Sequence, residues 1–232
     1  MNVFGRTVNG TDNELKLTEV YVIKNIILDV GRVLVQWDPV HAMRELGFST
    51  EATDAINTKV VESGLWDLED EGKLSDTEII ARFVDAVPGY EKEIHTLWDN
   101  IEKAIWQFDD SCDWIRRLKQ DGYRVYILSN YGAHTYEKTK DDALSFLELV
   151  DGITFSYRVK LVKPNKEIYL KLLQMHGLKS EECVFIDDRA ENIAAAESCG
   201  IRGIVYRNRV QADSELERIC TEENLNGEKT EQ

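Results

Sequence analysis

The residues able to do chemistry stand in short segments, most of them closing an apolar run. Asp29 closes Ile26-Ile27-Leu28, Ser129-Asn130 close Ile127-Leu128, and Asp187-Asp188 close Phe185-Ile186, with Asn192 shortly after. Lys163-Pro164 stands before a helical stretch. Converged, these segments offer three carboxylates, a lysine, a hydroxyl and a side-chain amide. Carboxylates held that close repel one another and raise one another's pKa. A hard divalent cation removes the conflict, and Mg2+ held by one or two carboxylates plus a substrate phosphate is the usual arrangement. Asp29 and Asp188 with a phosphate dianion carry about −4, and Mg2+ with Lys163 returns about +3, so near-neutrality needs both cations. Singly, each residue has a plainer reading. An Asp after a strand is ordinarily a turn former, Asp187-Asp188 is a natural helix cap, Ser129-Asn130 is turn chemistry, and a lysine is ordinarily a solvated charge. Their placement at the ends of separate strand-like runs is what argues against coincidence.

The runs Val22–Leu28, Val125–Leu128, Cys183–Ile186 and Gly203–Tyr206 are continuous and rich in β-branched and aromatic residues, as strands covered on both faces should be. Between them lie predicted helices: Ser111–Gln120 with a Ser cap, Asn165–His176 ending at Gly177, and Ala190–Cys199 ending at Gly200. The alternation predicts an α/β fold, a doubly wound, Rossmann-like parallel sheet with its ligand site at the strand carboxyl ends. Residues 40–108 break the alternation with helical patterns only, including a Ser75–Glu78 capping box, and are expected to form an inserted all-helical cap. The expected organisation is an arm over 1–20, an α/β core over 21–39 and 109–210, the cap over 40–108, and a C-terminal helix and charged tail over 211–232.

The 232 residues include 28 basic and 43 acidic ones, a net charge of −15. That excess repels nucleic-acid backbones and anionic membranes, so neither is expected as a partner. Cys112, Cys183, Cys199 and Cys220 are scattered without a CxxC pair, which gives neither a zinc signature nor a disulfide framework. No stretch has signal-peptide or membrane-spanning character, so a cytoplasmic protein, monomeric or weakly dimeric, is expected. The tryptophans Trp37, Trp66, Trp98, Trp106 and Trp114 read as core and cap packing.

The segments IILDVGRVL, ILSN, VKP and FIDDRAEN together resemble the four motifs of the haloacid dehalogenase superfamily, over roughly residues 22 to 210. Most members are Mg2+-dependent phosphatases, and the helical insertion matches the first cap class. Within the superfamily the pattern is similar to the bacterial sugar-phosphate phosphatases typified by α-D-glucose-1-phosphate phosphatase, which share Asp-x-Gly and LSN-x3-His, here ending at His134. The resemblance implies that Asp29 attacks phosphorus to form an aspartyl-phosphate, which water activated by the metal then hydrolyses. It implies Mg2+ on the Asp29 carboxylate, the Gly31 carbonyl and the Asp188 carboxylate, with Asp187 and Asn192 orienting those ligands. Ser129, Asn130 with the adjacent backbone N–H groups, and Lys163 would hold the transferring phosphate oxygens. The expected substrate is a small phosphorylated metabolite, with a sugar phosphate preferred.

Position 31 departs from the family pattern. Most of these phosphatases carry a second Asp there as general acid and base, and its loss commonly costs about 10²- to 10⁴-fold. A sugar-1-phosphate, whose anomeric oxygen leaves easily, would suit such a site. A cap residue is another source of the proton: Glu69, Asp70 and Glu71 are read as a solvated acidic turn or as catalytic groups. Asp38-Pro39 reads as a helix cap, Arg32 as a phosphate contact or a solvent-facing turn residue, and His134 as a packed histidine or a substrate contact. Two further functions stay open, a 2-haloacid dehalogenase, whose halide needs no proton, and a non-catalytic binding or regulatory protein. Retention of Asp187-Asp188 weighs against the first, and retention of Asp29 and Lys163 against the second.

Overall fold

The structure, a computed structural model, describes residues 22–228, with side chains through residue 221. The expected arm over 1–20 and the last residues of the tail lie outside the described residues. The chain enters through β1 (Asn25–Leu28) and β2 (Val35–Trp37), then runs through α1 (Pro39–Glu45), α2 (Thr50–Ile56), a π-helical stretch (Asn57–Val61), α3 (Asp67–Glu71), α4 (Asp76–Ala86) and α5 (Glu91–Asp99). It returns through β3 (Ile105–Gln107), α6 (Ser111–Gln120), β4 (Arg124–Ser129), α7 (Ala133–Thr139), β5 (Gly152–Phe155), α8 (Ser156–Val159) and α9 (Lys166–His176). The order closes with β6 (Cys183–Asp187), α10 (Ala190–Glu197), β7 (Arg202–Val205) and α11 (Arg209–Glu228).

Five strands form one parallel sheet in the order β5-β4-β1-β6-β7. The three central strands are buried on both faces because apolar side chains continue through the pleat. Ile26, Leu28, Val125, Ile127, Val184 and Ile186 enter one cluster, while Ile27, Tyr126, Leu128, Cys183 and Phe185 enter the other. The chain steps from β1 to β4 and β5 on one side, then crosses to β6 and β7 on the other. That reversal opens a crevice beyond the carboxyl ends of β4, β1 and β6, where open α/β sheets bind ligands.

Several local expectations meet their residues. Asp38 caps α1 by accepting from the His41 N–H at 2.9 Å, with Pro39 in the first turn. Ser75 and Glu78 form the capping box of α4. Gly177 ends α9 in the left-handed conformation, φ 63°.

Others are corrected. The 40–108 span is not wholly helical, because Ile105–Gln107 pairs antiparallel with Val35–Trp37, in register Val35 to Gln107 and Trp37 to Ile105. A three-residue strand gives too short an alternation to register against a partner so distant in sequence. β5 is likewise absent from the sequence pattern. Its four residues at the sheet edge lack the long apolar run of the central strands. The first strand starts at Asn25 rather than Val22, which is exposed. Ser111 does not cap α6: its hydroxyl donates to the Leu34 carbonyl at 2.7 Å, pinning α6 to the turn before β2. The helix of Ala190 ends at Glu197 rather than Cys199, and α11 runs on to Glu228, into the stretch expected as tail. Trp106 is largely exposed, packing edge-on against His41 instead of filling a core. No helix of the described residues is long and apolar enough to cross a membrane.

Candidate active site

Asp29, Ser129 and Asp187 stand where strands run out, while Lys163 lies in the loop before α9 and Asn192 in α10. Asp29 follows β1, its backbone N–H donating to the Ile186 carbonyl at 3.0 Å, so the carboxyl is fixed at the crevice rim. Behind it the turn closes tightly: the N–H groups of Leu34 and Val35 both donate to the Val30 carbonyl, at 2.8 and 3.0 Å, and Arg32 takes φ 59°. Ser129 ends β4, Asp187 ends β6, and Lys163 precedes α9.

The buried Lys163 ammonium joins them. Its Nζ lies 2.7 Å from Asp29 Oδ1 and 2.7 Å from Asp187 Oδ2, and it also donates to the Leu128 carbonyl at 3.2 Å. Burial opposes the ammonium, but Asp187 and Asp29 together outweigh it and hold its pKa above the ordinary lysine value. Burial pushes the Asp29 carboxyl up to about 6, with Lys163 opposing and Asp187 adding to the rise.

Asp187 is fully enclosed. Oδ1 accepts from the Arg189 N–H at 2.8 Å and Asn192 Nδ2 at 2.9 Å, and Oδ2 accepts from Lys163 and, at 3.0 Å, from Asn192. Asp188 is less buried, lies 3.9 Å from the Arg32 guanidinium, and has its pKa raised by burial first and by Asp187 second. Carboxylate oxygens of Asp29, Asp187 and Asp188 lie within 4.8 Å of one another, a donor set suited to a hard cation. The Asn130 side chain is occupied in positioning Lys163, donating to its carbonyl at 3.0 Å and accepting from its N–H at 2.8 Å. What Asn130 can offer a ligand is therefore its backbone.

Asp29, Gly31, Ser129, Asn130, Lys163, Asp188 and Asn192 line one cleft of about 480 Å³, with Asp187 packed behind them. Arg32 lines it as well. The opposite wall comes from Glu62, Trp66, Asp67 and Asp70, flanked by Trp37 and Ile105 of the ribbon. Trp37 and Trp66 approach at 5.6 Å between ring centroids and present aromatic surface to the cleft besides filling the core. Of these wall residues Asp70 is one of the acidic cap residues weighed from the sequence; Glu62, Asp67, Arg189 and Thr135 carry no sequence signal, because the helices and the ribbon reach the cleft only through tertiary packing.

The acidic stretch 69–71 is no solvated turn. It belongs to α3, and Glu69 is buried, accepting from the Thr135 N–H at 2.8 Å and its hydroxyl at 2.7 Å. Burial raises the Glu69 pKa, with both Thr135 bonds opposing. His134 lies away from the cleft lining, stacked on Trp98 with centroids 4.4 Å apart and Nε2 2.8 Å from the Trp98 carbonyl oxygen.

The chain matches the family model of haloacid dehalogenase-like hydrolases over residues 23–200. A sesquiterpene phosphatase of Aspergillus oryzae is 23% identical over 200 residues, covering 84% of this chain and 96% of the relative. A D-ribitol-5-phosphate phosphatase of Bacteroides thetaiotaomicron is 25% identical over 207 residues, covering 84% and 97%. A haloacid-dehalogenase-family enzyme of Bacteroides thetaiotaomicron, crystallised with magnesium and inorganic phosphate, shares the fold at TM-score 0.63 and 22% identity, over 80% of this chain and 94% of that one. Matched over residues 23–200, most of its length, the chain belongs to the haloacid dehalogenase-like hydrolase family.

Proposed function

We propose that this chain is a Mg2+-dependent phosphomonoester hydrolase for a small phosphorylated metabolite, sugar phosphates preferred, working through an aspartyl-phosphate on Asp29. The observation that carries this reading is the meeting of Asp29, Ser129, Lys163 and Asp188 in one cleft, anionic and cationic groups interleaved around the end of β1. The names of the two relatives support the phosphatase part of this reading, and the D-ribitol-5-phosphate phosphatase alone supports a sugar-type substrate.

The donor set fits Mg2+. Asp187 has its oxygens committed to Lys163, Asn192 and the Arg189 N–H, which leaves the Asp29 and Asp188 carboxylates and the Gly31 carbonyl as ligands. When bound, Mg2+ supplies positive charge beside the phosphate. Asp29 attacks phosphorus in line, and Lys163, Ser129 and the backbone N–H after it neutralise the transferring oxygens. Asn192 holds Asp187, and Asp187 holds Lys163, so the ammonium faces both the nucleophile and the phosphate. Residues 21–39 and 109–210 serve as the core, and 40–108 as a cap that excludes water and meets the leaving group. Trp37 and Trp66 offer faces on which a sugar ring can stack, and Glu62 and Asp67 accept from its hydroxyls. The enzyme works in the cytoplasm as a monomer or weak homodimer, on a small molecule and not on nucleic acid or membrane.

The test is a panel of phosphorylated sugars and 4-nitrophenyl phosphate, with Mg2+ and with chelator, beside Asp29→Asn. Turnover lost both with chelator and in the variant supports the reading. Metal-independent turnover, or turnover retained by Asp29→Asn, overturns it.

A further inference from the structure

Position 31 is open. A Cβ built on Gly31 meets no atom within 4 Å, and its backbone is free of the left-handed strain that excludes side chains. Gly31 itself offers no group for proton transfer, so an acid and base for an ordinary alcohol leaving group come from elsewhere in the cleft, whose walls carry Glu62, Asp67 and Asp70.

Asp70 lines the same cleft as Asp29, from the cap side. It sits on α3, which is fastened to the core on either side of it. Glu69 makes its two bonds to Thr135, the Lys160 ammonium donates to the Gly72 carbonyl, and Gly72 turns at φ 59° so tightly that a Cβ there would lie 2.7 Å from the Tyr157 carbonyl oxygen. The residue before Asp70 and the residue two after it are thus fixed, and Asp70 is presented from a rigid element.

We propose that Asp70 is the general acid and base of this enzyme, replacing the side chain that position 31 lacks; the assignment rests on the phosphohydrolase reading above. In the first step a bond forms between Asp29 and phosphorus while the bond from phosphorus to the substrate oxygen breaks. The Asp70 carboxylic acid gives its proton to that oxygen, which leaves as an alcohol. In the second step the Asp70 carboxylate takes a proton from the water whose oxygen attacks phosphorus. The Asp29–phosphorus bond breaks, inorganic phosphate departs, and both carboxyls regain their starting states.

The surroundings suit the role. Burial, with Glu69 and Asp67 of its own helix and Asp29 across the cleft, raises the Asp70 pKa well above an ordinary Asp, against the opposing charge of Lys163. A protonated fraction thus persists at pH values where an exposed Asp has none. It follows that the substrate need not be an easily leaving anomeric or aryl phosphate: phosphates of ordinary sugar alcohols are within reach.

Asp70→Asn tests this on two kinds of leaving group. On a sugar phosphate esterified at a primary hydroxyl, kcat falls by about 10²- to 10⁴-fold and its pH dependence flattens. With 4-nitrophenyl phosphate, whose leaving group needs no proton, the variant still releases a burst of about one nitrophenolate per active site, then stalls because the second step lacks its base. Gly31→Asp in the Asp70→Asn background restores turnover of the alkyl phosphate, using the open space at position 31. Alkyl turnover within a few-fold of wild type, or loss of the burst from a folded variant, overturns the assignment. Failure of the underlying reading looks different: wild type then does not turn over 4-nitrophenyl phosphate, or Asp29→Asn still releases nitrophenolate.

Discussion

The Glu69 carboxylate accepts both the backbone N–H and the hydroxyl of Thr135, at 2.8 and 2.7 Å, across 66 residues of sequence. This contact seats the inserted helices on the sheet domain, and it does so directly over Gly132, where a Cβ would fall 1.9 Å from Glu69 Cδ. The residue next in the helix is Asp70, so the seat and the chemistry share one short segment.

Gly132→Ala is expected to break this seat. The backbone there, φ −84° and ψ 160°, accepts alanine, so any loss comes from the collision with Glu69. Two charge-assisted bonds make the cost roughly 2–4 kcal/mol, read as a lower midpoint of denaturant unfolding. In a Glu69→Ala background the same substitution should cost little, and a double-mutant cycle without coupling would refute the contact's importance.

Lys163→Met is expected to leave Asp29 and Asp187 facing one another without a cation. Breaking a buried pair of this kind costs roughly 3–5 kcal/mol at neutral pH. The pH dependence has a definite sign. Folded Asp29 is raised from 3.8 to about 6, so between those values the folded protein binds more protons and stability falls as pH rises. Losing the lysine widens that window upward. The variant should therefore recover stability on going from pH 8 to pH 5.5 by more than wild type does, measured by urea unfolding, and equal changes would contradict the arrangement.

His176 should oppose that trend. Its ring packs against Gly152, lies 5.2 Å from the Tyr126 ring and contacts Thr154 Oγ1 at 3.1 Å, and burial lowers its pKa below 6.5. The unfolded chain takes up the proton first, so this contribution is complete above pH 6.5 and is lost as pH falls through and below it. His176→Gln should remove that part of the slope between pH 7.5 and 5.5. An unchanged slope would show that the imidazole titrates alike in both states.

Mg2+ should raise the thermal midpoint of the wild-type protein. At a hundredfold excess over Kd the gain is about 2.7 kcal/mol, or roughly 5–10 °C for a chain of this size. Chelator should reverse it, and Asp188→Asn should abolish most of it. A shift that persists in the variant would mean that the ion binds elsewhere.

Local sequence alone determined the central strands, the Asp38 cap, the Ser75–Glu78 box, the order in which Asp29, Ser129 and Asp187-Asp188 meet the strand ends, and Lys163 ahead of a helix. Each of these is selected within one or two turns of chain, by apolar runs, caps and breakers, and β-sheet parallelism then forces the strand ends to one rim. What the tertiary structure decided is the opposite wall. The ribbon of Val35–Trp37 with Ile105–Gln107 is too short to show a period, and the hydroxyl of Ser111 serves the Leu34 carbonyl in place of its own helix. In the same way the sequence leaves Glu69 and Asp70 open between solvated charges and catalytic groups, because nothing nearby in the chain buries them. Their desolvation comes from residues far away in sequence, and desolvation is what sets the protonation of a carboxyl.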